Sequence, residues 1–185
     1  MKKNLVFLSG FMASGKSTIG PILANTLGWN FFDLDKLIEE KEGKKIREIF
    51  ENQGEDYFRS LEKKILKEVL NLNNYIIALG GGTIADTENL DLIKKNGLLV
   101  YLRSSPEETY KRLRFKRDRP TFLFDDEEPS KEKFLEKINE LSEKREKYYS
   151  KAHVTIDTDK IRIGQTVDKL ASLVKKEFDS ETNKS

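Results

Sequence analysis

The chain has no cysteine, a single histidine and almost no excess charge of either sign. The absence of cysteine excludes disulfide bonds, thiolate nucleophiles and cysteine metal sites, and it fits a reducing compartment. Lysine and arginine number 34 and aspartate and glutamate 32, a net charge of +2, so no overall field would attract nucleic acid or a membrane surface. No apolar run approaches the roughly 20 residues that cross a bilayer. We therefore expect a cytoplasmic protein with neither a nucleic-acid nor a membrane partner.

The 185 residues suit one domain rather than two. Short apolar segments alternate with amphipathic ones, which is the pattern of a parallel sheet covered by helices on both faces. We therefore predict an α/β fold, a three-layer α/β/α architecture, over residues 1–178, with a disordered tail over 179–185. The five predicted strands, all parallel, are Leu5–Leu8, Trp29–Phe32, Tyr75–Leu79, Leu98–Leu102 and Val154–Ile156.

A phosphate-binding pattern follows the first predicted strand. Residues 10–18 read GFMASGKST, a glycine, four residues and then Gly-Lys-Ser, at the start of a predicted helix. The glycines let the backbone turn so that consecutive N–H groups point at phosphate oxygens. The helix N-terminus favours an anion, and Lys16 adds a full positive charge. The basic and apolar start of the chain imitates a signal peptide, but cleavage there would destroy this nucleotide phosphate site.

Charged residues and glycines follow the second and third predicted strands. Asp33 and Asp35 come directly after one strand, and Gly80-Gly81-Gly82 follows the other. Open α/β sheets bind ligands at the carboxyl ends of strands, and three glycines indicate a backbone that another group approaches closely. Because the third strand ends in glycines instead of an acid, Asp33 is the best candidate to hold Mg²⁺ with Ser17. The structural alternatives are helix capping by the two aspartates and a plain glycine turn.

The remaining motifs separate the classes of phosphate-loop protein. The chain lacks the Asn-Lys-x-Asp element that a GTPase uses for guanine. Instead it resembles the shikimate kinase family, from the phosphate loop to about Thr158. Each motif is short, but their order and spacing together are specific. The motifs are Asp33-Leu34-Asp35, Phe58-Arg59 with Glu62, the three glycines, Arg119-Pro120, and Arg145 before a tyrosine and Ala152.

This resemblance implies a function and an architecture. The implied reaction transfers the γ-phosphate of ATP to the 3-hydroxyl of shikimate, in the biosynthesis of chorismate and the aromatic amino acids. The implied fold is the P-loop kinase fold of nucleoside-monophosphate kinases, with a substrate-binding helical region at about 34–62 and a lid at about 112–129. The implied cofactors are ATP and Mg²⁺, and the implied partner is the small molecule shikimate. We expect a monomer.

The resemblance also implies roles for individual residues. A small hydroxylated anion needs planar cations for its carboxylate and an acceptor for its hydroxyls. The implied catalytic residues are Lys16, Asp35 and Arg119. The implied ATP residues are Ala13, Ser14, Gly15, Lys16, Ser17, Thr18, Arg112 and Arg119, and the Mg²⁺ residues are Ser17 and Asp33. The implied shikimate residues are Asp35, Arg59, Gly80, Gly81, Gly82 and Arg145.

Two departures from the family pattern concern the loops. Ala13 stands where the family usually has glycine. In the lid, Thr121-Phe122 replaces a usual pair of leucines, and residues 125–129 lengthen the segment.

A third departure leaves the cation for the carboxylate open. Arg145 precedes Tyr149 by four residues, but Ala152 then comes one residue early, and Lys144 fits the spacing instead. We prefer Arg145 for its planar fork. Arg59 and Glu62, at i and i+3, are also compatible with an ordinary surface ion pair.

Two other functions compete with the implied one. A related small-metabolite kinase, such as a gluconate kinase, would share the phosphate machinery and act on a different polyhydroxy acid. A non-catalytic nucleotide-binding regulator would bind ATP without acceptor-dependent release of ADP.

Overall fold

Five parallel strands form the centre of the protein. The computed structural model describes residues 3–114 and 130–182. The strands occur in the order β2-β3-β1-β4-β5, and every neighbouring pair is parallel. The predicted five-stranded parallel sheet is therefore confirmed. The strands are β1 (Leu5–Ser9), β2 (Asn30–Asp33), β3 (Tyr75–Ala78), β4 (Leu98–Arg103) and β5 (Val154–Asp157).

Seven α-helices in the described residues surround the sheet, together with a short 3-10 turn at Thr83–Ala85. The sequence from Lys36 to Leu72 predicts a helical stretch that is broken near Gly43 and Gly54. Both breaks are confirmed, since Gly43 ends one helix with φ 64° and Gly54 kinks the next with φ 82°. None of these helices is long and apolar enough to cross a membrane. The helices are α1 (Lys16–Leu27), α2 (Leu34–Glu42), α3 (Ile46–Val69), α4 (Thr87–Asn96), α5 (Pro106–Leu113), α6 (Lys131–Tyr149) and α7 (Ile163–Thr182).

The end of α7 differs from the predicted tail. The helix continues to Thr182, four residues beyond the predicted end at Phe178. No glycine or proline occurs between positions 165 and 182, so the sequence contains no residue that would stop the helix earlier. Residues 183–185 of the predicted tail lie outside the described residues.

Two apolar cores cover the two faces of the sheet. Alternate residues of β1 point to opposite faces, Leu5 and Phe7 to one core and Val6 and Leu8 to the other. The first core packs against α2, α3, α4 and α6, and the second against α1 and α7. The predicted three-layer architecture, a parallel sheet covered by helices on both faces, is therefore confirmed.

The register of the sheet aligns the ends of three strands. Leu8 of β1 pairs with Ala78 of β3, and Asp33 of β2 pairs with the same Ala78. The phosphate loop, Asp33 and the glycine turn therefore leave the sheet side by side at its carboxyl edge. In open α/β sheets this edge is where ligands bind.

Candidate active site

A cleft of about 870 Å³ opens at the carboxyl edge of the sheet. It brings together residues that are far apart in the sequence, from the phosphate loop to α6. Arg119 lies outside the described residues. All the other predicted site residues line this one cleft: Ala13, Ser14, Gly15, Lys16, Ser17, Thr18, Asp33, Asp35, Arg59, Gly80, Gly81, Gly82, Arg112 and Arg145.

The phosphate loop is held open by left-handed backbone. Gly15, with φ 106°, precedes α1 without a side-chain cap, so the first amides of the helix face the cleft. Ala13 has φ 57°, a region where a residue with a Cβ pays about 1 kcal/mol and glycine does not. The glycine that the resemblance leads one to expect at this position would adopt this conformation without that cost. The loop is therefore pre-shaped for an anion, at a small cost at Ala13.

Lys16 lies over the phosphate loop. Its Nζ donates to the carbonyl oxygens of Gly10 and Phe11, at 2.7 and 3.1 Å. Arg112 approaches the loop from the other side, where its Nη1 donates to Ala13 O at 3.1 Å and its Nη2 to Thr158 O at 3.0 Å. Two cations therefore flank the region where the loop amides converge.

A hydroxyl and a carboxylate meet beside Lys16. Ser17 Oγ donates to Asp33 Oδ2 at 3.0 Å, and Asp33 Oδ1 accepts from the Asp35 N–H at 3.1 Å. The helix-capping role considered for Asp33 is therefore confirmed, because Asp33 caps α2. Asp33 also lines the cleft. The described residues contain no cluster of three acidic, histidine or cysteine side chains that would hold a metal alone. The pair suits a hard cation such as Mg²⁺ that is also held by phosphate oxygens and water.

Each glycine of the turn after β3 faces a different charged side chain. A Cβ added to Gly80 would lie 2.6 Å from Asp35 Oδ1. A Cβ added to Gly81 would lie 2.7 Å from Arg145 Nη1, and one added to Gly82 would lie 2.7 Å from Arg59 Nη2. Since consecutive Cα atoms are about 3.8 Å apart, one carboxylate and two guanidinium groups converge on a very short segment. The turn is therefore more than a plain connection, because any side chain there would displace one of these groups.

Arg59 is not part of an ordinary surface ion pair. Its Nη1 donates to Glu62 Oε2 at 3.0 Å, and the Glu62 side chain is only 1% exposed, compared with 38% for Arg59. Glu62 also accepts from the Thr83 hydroxyl at 2.6 Å. The i, i+3 spacing predicted the pair correctly, but burial of the carboxylate makes it an anchor for the guanidinium instead of a solvated contact.

The geometry also separates Arg145 from Lys144. Arg145 lines the cleft with its guanidinium carbon 5.7 Å from the centre of the Phe11 ring. Lys144 pairs with Glu140 on the exposed side of α6, where its side chain is 66% exposed. The preferred cation, Arg145, is therefore the one in the cleft.

Asp35 is the acid whose ionisation the site perturbs most clearly. Burial, followed by the nearby charges of Asp33 and Glu62, raises the pKa of Asp35 to about 6, against the opposing effect of Lys16 and Arg59. A carboxylate with a pKa closer to neutrality accepts a proton more readily than an ordinary aspartate. The site therefore contains an acceptor tuned toward proton transfer, beside two fixed cations.

Sequence reasoning missed the groups that support the site. Thr83 holds Glu62, Thr158 accepts from Arg112, and the Tyr149 hydroxyl donates to Gly81 O at 2.8 Å. Thr83 had a usable signal, because it directly follows the glycine turn. Nothing in the sequence pattern indicated the contacts of Thr158 or Tyr149, which depend on how distant elements pack.

The fold and the cleft together define a P-loop kinase. The phosphate loop and a hydroxyl–carboxylate pair line the same cleft as two guanidinium groups and one further acid. That arrangement provides places for a nucleotide and for a small anionic acceptor.

Comparisons with known proteins identify the family. The family model described as shikimate kinase matches residues 12–175. The chain is 48% identical over 170 residues to a shikimate kinase of Chlorobium phaeobacteroides, covering 90% of this chain and 88% of that protein. The chain therefore belongs to the shikimate kinase family and is a phosphotransferase.

Solved structures support the same assignment. The structure of shikimate kinase from Acinetobacter baumannii in complex with shikimate matches with a TM-score of 0.83 and 32% identity, over 94% of this chain and 93% of that one. Shikimate kinase from Bacteroides thetaiotaomicron matches with a TM-score of 0.83 and 31% identity, over 92% of this chain and 98% of that one. Both neighbours share the fold over nearly the whole chain.

Proposed function

We propose that the protein transfers the γ-phosphate of ATP to the 3-hydroxyl of shikimate, giving shikimate 3-phosphate and ADP on the route to chorismate. One observation carries the choice of acceptor: three consecutive glycines face Asp35, Arg145 and Arg59 in the cleft that contains the phosphate loop. Shikimate combines one carboxylate with three hydroxyls on a small ring. Guanidinium forks match the carboxylate, and an aspartate accepts from a hydroxyl.

The nucleotide is assigned to the phosphate loop, because ATP use accompanies the family. The amides at the start of α1 and the Nζ of Lys16 face the region where the β- and γ-phosphates would lie. Lys16 exchanges its two carbonyl partners for phosphate oxygens, and Arg112 stays beside the loop. Together these groups hold and neutralise a polyanion.

Ser17 and Asp33 are the residues proposed to hold Mg²⁺. Their oxygens already lie within hydrogen-bond distance of one another, 3.0 Å, and both are hard donors. When bound, the ion supplies charge neutralisation at the terminal phosphates. Asp33 keeps its contact with the Asp35 N–H, so the position of the carboxylate is set by the start of α2.

Asp35 is the proposed proton acceptor. As the shikimate oxygen bonds to the γ-phosphorus, the bond to the leaving ADP oxygen breaks and the hydroxyl proton passes to the Asp35 carboxylate. Phosphoryl transfer depends mainly on positioning and charge stabilisation, so Arg59 and Arg145 contribute by fixing the ring. Lys16 neutralises charge that develops on the transferred group.

The substrate-binding region and the lid complete the proposal. Residues 34–62 include Asp35 and Arg59, and Phe50 and Phe58 from the same region also line the cleft. We propose a lid at about 112–129, with a role for Arg119 at the phosphates; residues 115–129, Arg119 included, lie outside the described residues.

The proposal includes a cytoplasmic monomer. The requirement for ATP supports a cytoplasmic location.

A coupled assay of ADP release tests the proposed function. Purified protein with ATP and Mg²⁺ is given shikimate, gluconate or a nucleoside monophosphate in turn. We expect turnover with shikimate and none above background with the others. Turnover only with gluconate would replace the acceptor, and nucleotide binding with no acceptor-dependent ADP release would point to a regulator instead of an enzyme.

Adjacent cations on α6 provide a matched test of carboxylate binding. Arg145→Ala should weaken shikimate binding about thirtyfold, or about 2 kcal/mol, because it removes a charge-assisted donor from the cleft. Lys144→Ala should change binding less than about twofold, since Lys144 pairs with Glu140 outside. Calorimetric titration of both variants measures the difference. Equal losses, or a larger loss for Lys144→Ala, would contradict the assignment.

Gly81→Ala should damage binding without damaging the fold. The new Cβ would lie 2.7 Å from Arg145 Nη1, the mobile end of a long side chain, so the guanidinium moves and the backbone does not. We expect shikimate affinity to fall about tenfold while the free energy of unfolding changes by less than about 1 kcal/mol. The control is Gly164→Ala, where a Cβ meets nothing within 4 Å. Unaltered affinity in Gly81→Ala would show that Arg145 need not occupy its observed position.

A further inference from the structure

Glu62 is a buried carboxylate that depends on two donors. Its residue is 1% exposed, so water cannot satisfy its oxygens. Oε2 accepts from Arg59 Nη1 at 3.0 Å, and Oε1 accepts from Thr83 Oγ1 at 2.6 Å. Each oxygen therefore has one protein donor, Arg59 from the same helix α3 and Thr83 from the 3-10 turn, and the two donors together fix the orientation of the carboxylate.

Thr83 is itself held rigidly. It is fully buried and is the first residue of the 3-10 turn that follows the glycines. Its N–H donates to Gly80 O at 3.3 Å, and its carbonyl accepts from the buried Asn89 side chain at 3.2 Å. The hydroxyl therefore projects from the same backbone that Asp35, Arg145 and Arg59 approach.

Arg59 has a second carboxylate partner, Glu55. Its Nε and Nη2 donate to Glu55 Oε1 at 3.3 and 3.2 Å, and the Glu55 side chain is 64% exposed. An exposed partner is mobile and screened by water, whereas a buried one is neither. Glu62 is therefore the anchor that keeps the guanidinium at Gly82, and Glu55 is the one toward which it can turn.

We propose that Thr83 is a positioning residue for acceptor binding: its hydroxyl fixes the Glu62 carboxylate, which in turn holds Arg59 against the glycine turn. This inference rests on the proposed function, because it assigns the effect to the shikimate carboxylate. Without the hydroxyl, Glu62 keeps one donor and is free to rotate, so Arg59 shifts toward Glu55 and away from the cleft. The phosphate loop has no part in this chain of contacts, so ATP binding should be unaffected.

Steady-state kinetics of Thr83→Val and Thr83→Ser test the inference. Valine keeps the shape and removes the hydroxyl, and serine keeps the hydroxyl. We expect Thr83→Val to raise the KM for shikimate about fivefold to tenfold, with kcat and the KM for ATP within about twofold of wild type. Thr83→Ser should return the shikimate KM to within about twofold. A purely structural role would lower thermal stability without separating the two KM values.

A double-mutant cycle identifies the route of the effect. In an Arg59→Ala background, Thr83→Val should cause no further increase in the shikimate KM, because the group it positions is gone. Additive effects would overturn the inference, as would an unchanged KM in the single Thr83→Val variant or a Thr83→Ser variant as impaired as valine.

Two provisions keep the test decisive. If Thr83→Val does not fold, Thr83→Ala removes the same hydroxyl and leaves space, and it carries the same expectations. Wild-type protein that fails to turn over shikimate overturns the proposed function, whereas normal wild-type turnover with an unaffected valine or alanine variant overturns the role of Thr83 alone.

Discussion

Lys16→Met is expected to lower kcat/KM for ATP-dependent phosphorylation by about a thousandfold, equivalent to about 4 kcal/mol of transition-state stabilisation. Lys16 Nζ lies over the phosphate loop on two backbone carbonyls, from which it can transfer to a phosphate oxygen. Methionine keeps most of the length and apolar stem and removes the charge. The loss should appear mainly in kcat, because charge accumulates on the transferred group in the transition state.

The measurement is steady-state kinetics with shikimate and ATP, together with chemical denaturation. Lys175→Met is the control, since Lys175 is an exposed residue of α7 that does not line the cleft. We expect that control to keep activity within about twofold, and both variants to keep the free energy of unfolding within about 1 kcal/mol. Activity of Lys16→Met within tenfold of wild type would remove Lys16 from the catalytic set.

The sequence predicted the fold well because its signals are local. Unbroken apolar strands separated by helical segments indicated a covered parallel sheet, and Gly43 and Gly54 marked where the helices are interrupted. The end of α7 is the exception, since the polar terminus predicts a tail although nothing in it ends a helix. The local sequence pattern therefore indicates where helices start and are interrupted more reliably than where a terminal helix ends.

The candidate site was predicted less completely because burial is not a local property. The spacing of Arg59 and Glu62 is the same for a solvated pair and for a buried anchor, and only the packing of α3 against the glycine turn separates them. Helical spacing distinguishes Arg145 from Lys144. Ile138 and Tyr149 are the buried residues of α6, and Arg145 is seven residues after one and four before the other, on the same helical face.

Asp35→Asn is expected to stabilise the fold while it lowers activity. Burial and the neighbouring acids raise the pKa of Asp35 from 3.8 to about 6, so the folded protein holds a carboxylate less favourably than the unfolded chain does. That cost is fully present above about pH 6 and fades as the pH falls toward 4. Asparagine carries no charge and avoids the cost. The raised pKa corresponds to at most about 3 kcal/mol, and we expect a gain of about 2 kcal/mol near pH 8.

The test compares unfolding free energies at about pH 8 and pH 4.5 without nucleotide, Mg²⁺ or shikimate, because bound ligands would add their own stabilisation. The advantage of Asp35→Asn should shrink to about 1 kcal/mol or less at the lower pH. Asp91→Asn, on the exposed surface of α4, should stay within about 0.5 kcal/mol of wild type at both values.

Activity gives the second half of the expectation for Asp35→Asn. Loss of the proton acceptor should reduce kcat/KM at least about a hundredfold. A more stable but inactive variant would show that the perturbed carboxylate is maintained for catalysis at the expense of the fold, as functional sites commonly require. A variant that is no more stable than wild type at pH 8, or whose gain in stability does not depend on pH, would contradict the raised pKa of Asp35. Activity in the variant would show that another group accepts the proton.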